Sequence, residues 1–209
     1  MEIHKAIIEE RIQDARSFID NNADINTRDE FGNTLLHIST DLGIMELITL
    51  LLEKGNDINS KNCDGEGSIH LSAKNENVEA MGYLLEKGAD IESRTNDGMT
   101  PLHICSQQGS AECMKFLVDK GADVNTRDDT GKTPLHSVVI TRDLHSTMFL
   151  VESGSNMKHE DKNDDTPLDI SKRQNTVDIT KFLIKMEQQQ DRKKYDEKTL
   201  KRRFFDNIY

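Results

Sequence analysis

The sequence predicts an all-α solenoid, in which short helix-turn-helix units stack side by side. Five of the seven histidines lie 33 residues apart, at His4, His37, His70, His103 and His136. Two glycine series keep the same spacing: Gly32, Gly65, Gly98 and Gly131, and Gly55, Gly88, Gly121 and Gly154. Because one spacing holds over most of the 209 residues, the chain is predicted to consist of tandem copies of one supersecondary unit.

The period divides residues 1–186 into six units that together form one repeat domain. A shortened N-terminal unit covers residues 1–28, and a divergent C-terminal unit covers residues 161–186. Between them lie four full units, at residues 29–61, 62–94, 95–127 and 128–160. Residues 187–209 differ in composition and predict a basic, amphipathic C-terminal tail that is helical or partly disordered.

Each unit is predicted to contain a hairpin turn, a helix, a short turn and a second helix. Gly98 lies in the hairpin turn, where positive φ is needed. Thr100 is placed as a helix N-cap, and Pro101 takes the first helical position, which needs no amide donor. Gly121 follows the second helix and predicts a left-handed C-terminal cap. The same signals recur at Thr133, Pro134, Thr166 and Pro167.

The apolar positions predicted to form the core recur with the same period. In the first helices these are Leu36, Ile69, Leu102, Leu135 and Leu168, and in the second helices Leu51, Leu84, Leu117, Leu150 and Leu183. No unit buries its apolar face alone, so neighbouring units must stack.

The clearest copy of the unit is residues 95–127, which read TNDGMTPLHICSQQGSAECMKFLVDKGADVNTR. The pattern D-x-x-G-x-T-P-L-H, followed by a helical run and L-L-x-x-G-A-D-[IV]-N, resembles the ankyrin repeat, whose period is also about 33 residues. The resemblance covers about residues 1–186. It implies a solenoid of about six repeats, including caps, with β-hairpin or turn fingers beside paired helices.

The regular histidines invite a metal-site interpretation, which the repeat geometry opposes. Two ligands of one zinc ion must each lie about 2 Å from it, whereas packed helices are about 8–10 Å apart. We expect His37, His70, His103 and His136 to hydrogen-bond locally to the threonine and the adjacent turn. Asp161, Asn163 and Asp165 imitate the start of a calcium loop, but Thr166 replaces the required glycine. The sequence therefore predicts no metal, no cofactor and no catalytic residue.

Composition predicts an acidic protein with a large solvent-exposed surface. The chain carries a net charge of −11, and its 34% hydrophobic content suits a thin solenoid with much surface. Three cysteines without paired spacing do not predict disulfides or a zinc site, and no signal peptide or apolar span is visible. We expect a cytoplasmic monomer, with the nucleus as a second compartment, whose partner is a protein with a basic surface rather than a membrane or nucleic acid.

The family resemblance implies that partners contact the finger tips and the exposed middle of each first helix. Transferred to this sequence, those positions are Glu30, Phe31, Asn33, Asp41, Leu42, Asp64, Glu66, Lys74, Asn75, Asn96, Asp97, Met99, Gln107, Gln108, Asp129, Lys132, Ile140 and Thr141. Phe31, Leu42 and Met99, together with Ile140, are apolar where solvent is expected. A contiguous row of such side chains would mark an interaction site.

The sequence thus predicts a non-enzymatic scaffold or adaptor that binds a protein through finger tips and the concave face. One alternative is an assembly chaperone or inhibitor that caps another protein. Another is a nuclear or nucleic-acid-associated regulator acting through the tail, which has seven lysines and arginines against five acids. Leu200, Phe204 and Ile208 recur at four-residue spacing there, which fits either docking on the last repeat or binding a partner.

The unit at residues 62–94 is predicted to be the least stable internal repeat. Gly67 and Ser68 stand where other units have threonine and proline, so the N-cap hydroxyl is lost. Gly82 lies inside the second helix, at a cost of about 1 kcal/mol relative to alanine.

Overall fold

The computed structural model describes residues 2–21 and 23–206, apart from the side chains of residues 193, 194 and 196–206. Within these residues the chain forms twelve α-helices: α1 Glu2–Ile8, α2 Ile12–Asp20, α3 Leu35–Asp41, α4 Met45–Glu53, α5 Ser68–Lys74, α6 Val78–Glu86, α7 Pro101–Gln108, α8 Ala111–Asp119, α9 Pro134–Ile140, α10 Leu144–Glu152, α11 Pro167–Arg173 and α12 Val177–Asp206. Asn22, which takes the place of the second-helix glycine in the first unit, lies outside the described residues.

The helices pair within each unit and stack between units. The first helices form one row, in which α1 packs on α3, α3 on α5, α5 on α7, α7 on α9 and α9 on α11. The second helices form the other row, with contacts between α2 and α4, α6 and α8, and α10 and α12. The prediction of an all-α solenoid is therefore confirmed.

The helix ends follow the predicted capping signals. Thr34, Thr100, Thr133 and Thr166 are N-caps in extended backbone conformation, and each of the three prolines takes the first helical turn. Gly121 closes α8 with φ +94°, a conformation that costs a residue with a Cβ about 1–2 kcal/mol. Its amide and that of Ala122 bond back to Val118 and Leu117, so the last carbonyls of the helix are satisfied.

The fingers between units are tight turns, and the described residues hold a single isolated β-bridge, Arg28 to Thr34. In the first finger, the Asp29 amide donates to the Asn33 carbonyl at 3.0 Å. The Asp29 carboxylate accepts from the amides of Phe31 and Asn33 at 2.9 and 2.8 Å. The carboxylate of the first residue in the finger therefore stabilises the turn by accepting hydrogen bonds from two of its backbone amides. Asp161 does the same for Asn163 and Asp165, which explains the apparent calcium motif.

Backbone hydrogen bonds join each finger to the next. The amides of Cys63, Asn96, Asp129 and Lys162 donate to the carbonyls of Phe31, Asp64, Asp97 and Thr130, each at 2.9 Å. A row of cations reinforces this link, because residues 28, 61, 94 and 127 each donate to a carbonyl of the following unit: Arg28 to Lys61, Lys61 to Arg94, Arg94 to Arg127, and Arg127 to Glu160. The fingers thus form one continuous edge along the stack.

The core lies between the two helix rows and is built from the leucine positions of the repeat. All ten predicted core positions are buried. Burying one leucine side chain stabilises a fold by roughly 1.5–3 kcal/mol. Cys105 and Cys113 are buried, and Cys63 is exposed at a finger tip.

The C-terminal helix continues past the boundary that the sequence predicts at Met186. α12 has 30 residues, which corresponds to a length of about 45 Å. The Lys158 ammonium pairs with the Asp191 carboxylate at 2.9 Å and ties the start of the tail to the preceding unit. The predicted face of Leu200, Phe204 and Ile208 falls on side chains outside the described set.

Candidate functional site

The four internal histidines connect neighbouring elements of the stack. The Thr133 amide donates to Nδ1 of His136 at 3.0 Å, so the ring proton lies on Nε2, which donates to the Asp165 carbonyl at 3.2 Å. His37 and His103 reach the next unit in the same way, through the carbonyls of Glu66 and Lys132. His70 instead reaches Ser93, at the end of its own unit. The predicted local bonding to the threonine is confirmed for His37, His103 and His136. For His70 it is wrong, because Gly67 replaces the threonine and only its backbone amide donates to Nδ1, at 3.0 Å.

Burial keeps these imidazoles neutral. All four side chains are buried, and desolvation lowers the pKa of His37, His70, His103 and His136 below the ordinary value of 6.5. In the last unit Asp169 replaces the histidine and accepts from the Thr166 hydroxyl at 2.6 Å. That hydrogen bond lowers the pKa of Asp169. The N-terminal cap of α11 is therefore retained, with a carboxylate as acceptor in place of an imidazole.

Beside the finger tips and first helices runs a surface furrow made of three depressions. The N-terminal depression has a volume of about 380 Å³ and is lined by Ile8, Phe31, Leu42 and their neighbours. The central depression, of about 260 Å³, lies between Asp64 and Asp97. The C-terminal depression, of about 480 Å³, is lined by Met99, Gln107 and Ile140 among others. Asp64 lines the first two depressions and Asp97 the last two, so the three depressions are neighbours along the finger edge.

Every predicted partner-contact position is exposed or half-buried. The four apolar positions do not form one row. Phe31 and Leu42 are 64% and 41% exposed in the N-terminal depression, and Ile140 is 39% exposed in the C-terminal one. Met99 is half-buried, and the Gln107 side-chain amide donates to its sulfur at 3.2 Å.

Ile8 is not among the contact positions that the sequence predicts. This side chain is 59% exposed and lies in the N-terminal depression together with Phe31 and Leu42. A signal was present, because Ile8 stands 33 residues before Asp41, at the register of the exposed first-helix positions. The shortened first unit hid that equivalence.

A family model for ankyrin repeats, built from three copies of the repeat, matches residues 3–95, 46–128, 92–153 and 121–195. The chain belongs to the ankyrin-repeat family. No curated protein matches it. Ankyrin repeats are generally protein–protein interaction modules, and the family is typically non-enzymatic. Among the described helices of this ankyrin-repeat protein, none is long and apolar enough to cross a membrane.

The charges of the ankyrin furrow divide into paired and unpaired groups. Glu66 pairs with Lys74 at 3.7 Å, and the Asp41 carboxylate accepts from the Asn75 amide at 2.9 Å. Asp64 and Asp97 are exposed and have no ion pair among the described side chains. The furrow therefore offers free carboxylates between two depressions that contain exposed apolar side chains.

Proposed function

We propose that this ankyrin-repeat protein is a non-enzymatic scaffold that binds a protein partner along the furrow, without a cofactor. The observation that carries the proposal is the exposure of Ile8, Phe31 and Leu42 in one depression. Single exposed apolar residues are ordinary, but a group in a concavity is typical of interaction sites. Burial of such central apolar side chains supplies much of the affinity of protein interfaces.

The architecture favours rigid presentation of this surface. The finger edge is held by one backbone hydrogen bond per unit and by the arginine and lysine row beneath it. A surface that is ordered before binding loses little conformational entropy when the partner arrives. An assembly factor or inhibitor that caps another protein would use the same property.

Charge indicates the kind of partner. The chain carries a net charge of −11, and Asp64 and Asp97 stand unpaired in the furrow. Complementary charge accelerates encounter and selects among partners more than it raises affinity. The partner is accordingly a protein with a basic surface, bound by a monomer of this chain.

A site-specific crosslinking experiment tests the proposal. A photoreactive amino acid is placed at Gln107 in the furrow and, separately, at Lys115, which is exposed on α8 of the second-helix row. In cells of the source organism, a partner should crosslink from Gln107 and not from Lys115.

Two variants and a matched control decide whether the furrow is responsible. Leu42→Lys and Ile140→Lys should each weaken capture by about tenfold or more, because a charge then enters an apolar contact. Met148→Lys, at a similarly exposed position on α10, should leave capture unchanged. Equal capture by all three variants contradicts the proposal. Loss of capture only when residues 190–209 are deleted would instead support the tail.

A further inference from the structure

The furrow contains a register-matched sequence of surface groups. Phe31, Asp64 and Asp97 are separated by 33 residues each, so they occupy the same tip position in three successive units. The Cys63 amide donates to the Phe31 carbonyl, and the Asn96 amide donates to the Asp64 carbonyl, both at 2.9 Å. These bonds fix the three tips beside one another. Along the edge, the order is apolar, acidic, acidic.

Phe31, the first residue of this series, lies beside a depression that can hold an apolar side chain of a partner. Phe31 borders the N-terminal depression with Ile8 and Leu42, and its volume of about 380 Å³ holds a large aliphatic or aromatic group. These three side chains are substantially exposed, and the rest of the lining includes polar and charged groups such as Asp41 and Lys74. An apolar anchor entering here would remove apolar surface of both molecules from water, at roughly 25 cal/mol per Å².

The second and third groups are carboxylates that have no partner of their own. Asp64 and Asp97 are exposed and without an ion pair among the described side chains. Arg94, the nearest candidate by register, donates instead to the Arg127 carbonyl and lies 4.0 Å from Asp129. The two acids are therefore available to cations of a bound molecule.

The repeat spacing sets the spacing of those cations. Packed helices lie about 8–10 Å apart. A chain in the extended polyproline II conformation advances about 3.1 Å per residue and has three residues per turn, so one unit corresponds to about three residues and every third side chain points to the same face. We propose, resting on the proposed function, that the furrow binds an extended segment of its protein partner in which one apolar side chain and two lysines or arginines are spaced at three-residue intervals. The apolar side chain fills the N-terminal depression, and the cations meet Asp64 and Asp97.

Synthetic peptides with the full ¹⁵N-labelled chain test this by NMR, which detects millimolar affinities. The probes are Phe-Gly-Ser-Lys-Gly-Ser-Lys and its reversed sequence, with capped ends. One of them should shift the amide signals of Phe31, Asp64 and Asp97. A peptide of the same composition with adjacent lysines, Phe-Lys-Lys-Gly-Ser-Gly-Ser, should bind about threefold more weakly, because one exposed ion pair is lost.

A charge swap provides the control for specificity. Asp64→Lys should weaken binding of the lysine peptide about threefold or more and improve binding of the peptide whose middle lysine is replaced by glutamate. Asp129→Lys, at an exposed tip one position out of the series, should leave the preference for the spaced peptide unchanged.

Absence of shifts at millimolar peptide, equal binding of the spaced and adjacent-lysine peptides, or shifts confined to the C-terminal depression would overturn the inference. If crosslinking from Gln107 still captures a partner, only the chemistry proposed for that partner is wrong. If the crosslink is absent as well, the proposed function fails with it.

Discussion

The buried histidines should make this protein unfold in mild acid, well before its carboxylates are protonated. His37, His70, His103 and His136 are buried, and desolvation lowers the pKa of each below 6.5. In the unfolded chain they regain a pKa of about 6.5. The unfolded state therefore binds more protons once the pH falls below about 6.5. Stability is complete above that value and is lost as the pH falls toward the folded pKa values.

The magnitude follows from the number of histidines. Each group that is protonated only in the unfolded state costs about 1.4 kcal/mol per pH unit, so these four internal histidines cost up to about 5.5 kcal/mol per pH unit. His4 adds to this, because burial lowers its pKa as well. Domains of this kind have about 5–15 kcal/mol in total. One to two pH units below 6.5 should therefore consume much of the stability. Burial raises the pKa of Glu92, so this carboxyl opposes the trend.

Urea unfolding followed by far-ultraviolet circular dichroism at pH 7.5, 6.5 and 5.5 measures the effect. His103→Gln should reduce the slope of unfolding free energy against pH by about a quarter, whatever its cost at pH 7.5. His145→Gln is the control, because that side chain is exposed on α10. Between pH 6.5 and 5.5, a wild-type slope of unfolding free energy against pH below about 1.4 kcal/mol per pH unit, the value for one histidine, would refute the linkage argument. So would equal slopes for the His103→Gln variant and the wild type.

Three further predictions concern the caps, the weak unit and the thiols. Thr133→Ala removes the hydroxyl that lies 2.9 Å from His136 Nδ1 and should lower the free energy of unfolding by about 1 kcal/mol. An unchanged midpoint of urea unfolding would contradict the capping role. Gly67→Thr should stabilise the 62–94 unit by about 0.5–1 kcal/mol and slow its hydrogen exchange. The reason is that φ is −97° and the added Cβ meets nothing closer than 3.4 Å. Its control, Gly65→Thr, should destabilise, since φ is +75° and the Cβ would lie 2.5 Å from Asn96; equal effects would refute the conformational reasoning. A thiol reagent should modify Cys63 alone in the native state, since Cys105 and Cys113 are buried. Mass spectrometry measures the number of modified thiols. Rapid modification of all three would show that the 95–127 unit opens.

Local signals account for the parts of the fold that were predicted from the sequence. Thr100, Pro101 and Gly121 act within a few residues of their own positions, so each can be interpreted without knowing the rest of the chain. The contact between the Gln107 amide and the Met99 sulfur joins residues eight positions apart, and the sequence carries no local signal for it. The predicted boundary at Met186 has no helix-ending glycine or proline, and α12 accordingly continues beyond it.

The cation row explains why the furrow has unpaired acids. Arg28, Lys61, Arg94 and Arg127 stand at the end of four successive units, and each donates to a backbone carbonyl of the next. These side chains donate to carbonyls that would otherwise need water or another donor, so they stabilise the contact between neighbouring units. Among the described side chains, Asp64 and Asp97 form no ion pair with these cations, whereas Arg94 also approaches the Asp129 carboxylate at 4.0 Å. The same 33-residue register that joins the units thus leaves an acidic edge, and its charge becomes available for a partner.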